Sequence, residues 1–192
     1  MTAWPAIAGT LVMIPKPVPD PLPAGFRHGE RLHTALRKDN PDTGAPLPVR
    51  SCSFGALLLG EAGWPLDTPL PGDALLLHGT QHLVVPGSGN IVVVMLVKRK
   101  AGLTPQQFRR RWLEGHAPFG LATGAAGYRQ LHPEHPPDDD SFDGAGMVFF
   151  RDRDHVSWVR SGPAVAQAAT RDEMAFIDHG RSMLAMFRFR PD

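Results

Sequence analysis

The chain has 192 residues, 42% hydrophobic and 20% charged, with 20 basic against 19 acidic side chains. That composition suits one large domain or two small ones around a packed core and excludes wholesale disorder. A net charge of +1 excludes nucleic acid as a main partner, because neutralising phosphates needs a concentrated basic surplus. Cys52 is the only cysteine, so no internal disulfide can form, which fits a reducing cytoplasm, and it reads as a small buried apolar side chain. The apolar N-terminal segment has no basic region before it and is broken by Pro5 and Pro15, so no signal peptide is expected. No apolar run approaches the length that spans a bilayer, so no membrane partner is expected either.

The first half, residues 1–89, is rich in proline and glycine. Residues 10–14 read as a strand, followed by alternating Pro15, Pro17, Pro19, Pro21 and Pro23, an extended connector. Residues 26–38 read as a short helix, stopped by the turn cluster at 39–44. Residues 54–59 and 74–85 are apolar enough for strands, with loop between them.

The second half, residues 90–192, is better patterned. Residues 91–97 form an apolar strand, and a basic turn follows at 98–102. Thr104 stands three before Gln107, the spacing of a capping box, with Pro105 at the first helical position. Leu103 and Phe108 can staple that cap, and Phe108 and Trp112 share a helix face. Gly115 is expected to stop the helix and Pro118 to prevent its resumption, holding His116 at the helix end. Strands follow at 126–131 and 145–151, separated by a polar loop at 133–140. Asp152 or Asp154 can cap a helix to residue 160, Gly162 and Pro163 break it, and 164–170 resume it. The last strand is 182–190, with Phe187 and Phe189 facing away from Arg188 and Arg190. The order β-α-β-β-α-β is that of a ferredoxin-like unit. The basic clusters at 98–100 and 109–111 read as a solvated turn and an outer helix face.

Lys98 to Thr104, with Phe108, Trp112 and His116-Ala117-Pro118, resembles the opening of an EthD-type domain of the dimeric α/β-barrel superfamily. Gly127-Tyr128-Arg129-Gln130, Phe142-Asp143-Gly144, Asp172-Glu173 and Phe176-Ile177-Asp178 continue the resemblance in order, over roughly residues 90–190. It implies an α+β protein in which ferredoxin-like βαββαβ units pack as an α/β barrel, with the first half a degenerate tandem copy. A single unit leaves one sheet face open. If the first half were no copy, a second chain should cover that face, so a homodimer is the alternative expectation.

The resemblance also implies a small catalyst that uses no cofactor. Among cyclases, dehydratases, lactone isomerases and cofactor-independent oxygenases, a lyase or isomerase acting on a small carbonyl-bearing ring compound is expected. Cofactor-free monooxygenation and a non-catalytic ligand-binding barrel are the alternatives. His116 is the first candidate base, since a neutral imidazole takes and gives protons near neutral pH. Tyr128 could polarise a carbonyl, and Arg129 alternates with it, so only one of the two can face the cleft. Asp178 could orient a histidine, and His179 beside it is a further catalytic candidate. Trp112, Trp158 and His132 complete the expected substrate-binding set. His132, His135 and the acidic run at 138–140 offer metal ligands, but prolines deny them helical spacing, so no metal is expected. There is no phosphate-cradling loop, dinucleotide fingerprint or Gly-x-Ser-x-Gly elbow.

Overall fold

The computed structural model describes residues 4–15, 18, 21–33, 36–61, 63–65, 68–70, 72–134, 141–160 and 163–190. Pro17 and Pro19 of the connector, His135 with the 138–140 run, and the Gly162 break lie outside them.

Eight antiparallel strands close into a ring. The first half contributes β1 (Ala6–Ile14), β2 (Phe26–Arg31), β4 (Ala56–Gly60) and β5 (Leu75–Val85). The second half contributes β6 (Ile91–Val97), β7 (Gly127–Pro133), β8 (Gly144–Phe150) and β9 (Met183–Phe189). The order around the ring is β2-β4-β1-β5-β7-β8-β6-β9, and β9 pairs back onto β2. A two-residue strand, β3 (Arg50–Ser51), lies parallel on β9 outside the ring. The strands run β5-β1-β4-β2 in one half and β9-β6-β8-β7 in the other, the same relative order in both. The halves join edge to edge rather than face to face.

Period-two alternation sorts the side chains. The inner face of β6 supplies Val92, Val94 and Leu96, that of β8 supplies Ala145, Met147 and Phe149, and that of β9 supplies Phe187 and Phe189, all buried in one core. Each of these side chains larger than alanine contributes about 1.5–3 kcal/mol by leaving water. The outer faces are covered differently in the two halves. In the second half, α1 (Pro105–Arg110), a π-helical turn (Arg111–His116) and α2 (Ala117–Leu121) lie over β6, where Phe108 and Trp112 pack on Met95 and Val97. Helices α3 (Arg153–Arg160) and α4 (Pro163–Glu173) complete that layer, and Asp152 caps α3 through its bond from the His155 backbone N–H (2.8 Å). In the first half, Val18, Leu22 and Trp64 from irregular segments pack over Val12, Phe26 and Leu58.

Two sequence expectations are corrected here. Residues 26–31 are a strand, not the start of a helix, because β4 and β9 both offer hydrogen-bonding edges to them. Helical propensity is a weak prior against such pairing. The helix that begins at Pro105 also does not stop at Gly115. Its hydrogen bonding widens, so that the Ala117 N–H bonds to the Trp112 carbonyl five residues back, and the helix then runs to Leu121. Pro118 has no N–H to return to Glu114, which the wider turn tolerates. Among the described residues, no helix is long and apolar enough to cross a membrane.

Candidate functional site

The start of α1 is built as its sequence demands. The Thr104 side chain accepts from the Gln107 N–H (3.2 Å), and the Gln107 side chain accepts from the Thr104 N–H (2.9 Å). Leu103 packs on the cluster that holds Phe108. This fixes the first turn, and the π-helical turn then carries His116 inward, 6% exposed. Gly115 has a steric role instead of a left-handed one. A Cβ there would lie 1.9 Å from Arg111 Nη1, so its absence lets the Arg111 side chain run forward over the helix surface.

A cavity of about 170 Å³ separates this helical layer from the sheet. Its floor is Val93 and Met95 of β6, Tyr128 of β7, Gly146 and Val148 of β8, and Leu184 of β9. Its roof carries Trp112, His116 and Phe119, and Glu173 at the end of α4 closes one side with Lys38. The lining is mostly apolar, and the volume is close to that of an engineered cavity known to take one benzene ring.

The polar groups are linked. His116 Nδ1 lies 3.0 Å from Asp172 Oδ2 and Nε2 lies 3.6 Å from Glu173 Oε1. An ionised carboxylate only accepts hydrogen bonds, so Nδ1 carries the proton facing Asp172 and Nε2 keeps its lone pair when the ring is neutral. Asp172 is held in turn by Arg111, and Glu173 by Lys38 and by His179 Nε2 (3.2 Å). Burial pushes the His116 pKa below its ordinary value, and the two carboxylates oppose that only in part. Burial alone would raise the Glu173 pKa, but Lys38 and the histidines outweigh it and hold the group down at about 2. The site at neutral pH is therefore a neutral imidazole beside the ionised Glu173 carboxylate, with Asp172 on its other ring nitrogen. The Tyr128 hydroxyl accepts from Gln130 Nε2 (2.9 Å), and burial raises its pKa, so it stays protonated with its hydrogen to donate.

The other predicted residues fall in different places. Trp112 is both core and cavity wall. His179 stands behind Glu173, at one remove from the cavity. Asp178 does not serve His116: its side chain accepts from the Arg181 N–H (3.2 Å) and caps the short 3-10 turn His179–Arg181. Arg129 points into the barrel, opposite to Tyr128 on the same strand, as the alternation requires. His132 stacks on Trp112 (ring centres 5.0 Å apart, planes at 9°), and burial pushes its pKa down to about 3. Trp158 is 61% exposed and lies against His155, so it is no cavity wall. The 98–100 turn is not simply solvated, since Lys98 is buried and Lys98 and Arg99 both pair with buried Asp143.

Sequence reasoning missed Lys38, Asp172 and Glu173 as site residues. Asp172 and Glu173 were visible only as part of a family pattern. The one local signal was two adjacent acids ending a helix, where acids are disfavoured by the helix dipole. Among the described residues, no group of three or more histidine, cysteine or acidic side chains could hold a metal ion.

Residues 100–180 match the family model of the EthD domain. No curated protein is detectably similar to the chain in sequence. Among solved structures, a "putative monooxygenase" from Lactobacillus acidophilus NCFM aligns over 96% of this chain and 93% of its own, at 8% identity and a TM-score of 0.45. A likeness that remote bears on neither fold nor chemistry.

Proposed function

With residues 100–180 an EthD domain, we propose that the chain is a cofactor-independent lyase or isomerase that moves protons on a small carbonyl-bearing ring compound. The observation that carries this is the His116 imidazole, oriented by Asp172 and set on an apolar cavity of one-ring size. His116 Nε2 takes a proton from the carbon beside the carbonyl. The electron pair left on carbon moves to the carbonyl oxygen, which the Tyr128 hydroxyl stabilises by donating a hydrogen bond. Asp172 and Glu173 stabilise the imidazolium so formed. The imidazolium then returns the proton to another carbon, completing an isomerisation, or to a departing hydroxyl, completing a dehydration. Apolar walls keep water from quenching the enolate. Arg129, on the barrel side of β7, has no part in this scheme.

The architecture belongs to the same proposal. Each set of four strands is read as a ferredoxin-like unit, residues 90–192 with its helices and residues 1–89 as a copy that has lost them. The tandem supplies within one chain the cover that a homodimer would otherwise provide. The partner is a small molecule and the setting the cytoplasm.

The apolar lining also favours a second reading, cofactor-free monooxygenation. There the enolate meets dissolved O2 and the substrate supplies the electrons, one oxygen atom entering the product and the other leaving as water. Cyclohexanone and 3-cyclohexen-1-one in D2O test both readings. The wild type should speed deuterium exchange beside the carbonyl, or conjugation of the double bond, and His116→Ala should abolish it. Oxygen uptake with these ketones would select the second reading. Exchange and conjugation no faster than buffer, with no oxygen uptake, would overturn both.

A further inference from the structure

A second cavity, of about 450 Å³, opens at the end of the barrel where β2 begins and β4 ends. Arg27, Glu61, Arg129, Leu59 and Phe149 line it. Arg129 rises from the inner face of β7 with its side chain only 13% exposed. Its contacts are all long: Gln81 Oε1 at 3.4 Å, the Gly87 carbonyl at 3.3 Å and Glu61 Oε1 at 3.5 Å. Protein N–H···O bonds cluster near 2.9–3.0 Å. Arg129 Nε is buried and, among the described residues, has no hydrogen-bond partner. A guanidinium brings five donors, and a buried one is costly to leave unmatched. Here the ring of Phe149 lies under it, 5.1 Å from the guanidinium carbon.

Arg27 brings a second positive charge to the same cavity. Its guanidinium carbon sits 3.9 Å from the centre of the Phe189 ring, and it donates one long bond, 3.4 Å, to the Gly89 carbonyl. Burial disfavours the charge on Arg129; Glu61 opposes that effect and Arg27 adds to it. Glu61 is the only acidic residue among the described lining, and its side chain is 68% exposed, so it meets Arg129 at arm's length. Two arginines set on aromatic rings, one under-bonded and both facing a cavity, form an oxyanion clamp with a loose internal carboxylate at its entrance.

We propose that this barrel mouth binds a small organic oxyanion, a carboxylate or phosphate monoester on an apolar ring. Arg129 and Arg27 grip the oxyanion, Glu61 swings into solvent to admit it, and Leu59 and Phe149 receive the ring. The site is separate from the His116 cavity, from which it is divided by β7.

Titration calorimetry at low ionic strength with benzoate and with phenyl phosphate tests this, and the tighter of the two identifies the oxyanion. One molecule should bind per chain. Arg27→Gln, a half-buried position at the rim, should weaken binding about tenfold through loss of a charge-assisted contact. Glu61→Gln should tighten it severalfold by removing the competing carboxylate. Arginine Nε–H and Phe149 ring resonances should shift on titration while the His116 imidazole resonances stay in place. No saturable binding of either compound by the wild type would overturn the proposal. So would affinities equal in the wild type and both variants, or shifts confined to His116. Failure here leaves the His116 reading intact, since ketone exchange is measured without either anion.

Discussion

Glu173→Gln is the sharpest probe of the buried charge network. The substitution keeps the shape of the side chain and removes the charge that Lys38, His116 and His179 converge on. Holding this carboxyl down from 4.5 to about 2 is equivalent to on the order of 3 kcal/mol of folding stability at neutral pH. Because the folded pKa is depressed, that contribution is complete above the unfolded value and is lost as pH falls through the folded one. Roughly three-fifths of it should be gone by pH 3. Lys38 is 20% exposed and can turn partly to water, so the loss on substitution should be about 2–3 kcal/mol, not the larger penalty of a sealed charge. In a chain this size that lowers Tm by roughly 5–10 °C. Urea unfolding of both proteins at pH 7 and pH 3 reads the effect as a stability gap that narrows in acid. A gap below about 0.5 kcal/mol at pH 7, or one of equal size at both pH values, would refute the reasoning.

His116 acts as a base only when neutral, and its pKa is lowered, so the acid limb of kcat/KM should have its midpoint below 6.5. Glu173→Gln should move that limb lower still, because the carboxylate was raising the histidine; a limb at or above 6.5 in the wild type contradicts the assignment. Thr104→Ala should cost about 1 kcal/mol in chemical denaturation by opening the cap of α1. A Cβ on Gly120 would come within 2.1 Å of the Tyr128 ring, which is buried and cannot yield, so Gly120→Ala should cost about 1–3 kcal/mol and reduce ketone exchange. The His132 ring should not titrate between about pH 5 and 8 in an NMR series, given a pKa held near 3.

The inward histidine was legible because its placement is mostly local. A capping box, a staple and an aromatic pair fix α1, and His116 follows within a few residues. The split between Tyr128 and Arg129 was legible for the same reason, since strand alternation needs no tertiary knowledge. What surrounds His116 was not legible. Asp172 lies 56 residues away and is brought in by the stacking of α4 on the π-helical turn, while Lys38 lies further still and arrives from the first half of the chain through its pair with Glu173. Residues 26–31 were misread because their composition tolerates either structure and the decision belongs to β4 and β9. Gly115 and Pro118 look like a stop signal, and locally they are one. The helix continues because its hydrogen bonds step from four residues to five.

That step amounts to one residue inserted into an otherwise regular spiral. Each residue of an α-helix turns the chain by about 100°. The wide turn absorbs that extra residue locally, so deleting one position from the Arg111–His116 segment would let it close to a regular turn, leaving the helix on either side in phase and re-aiming only the side chains within it, the imidazole among them. A neighbour in sequence would take its station, with the β-sheet floor untouched. The scaffold can exchange its reactive side chain through a change in length alone, a route to new chemistry that substitution by substitution would not reach.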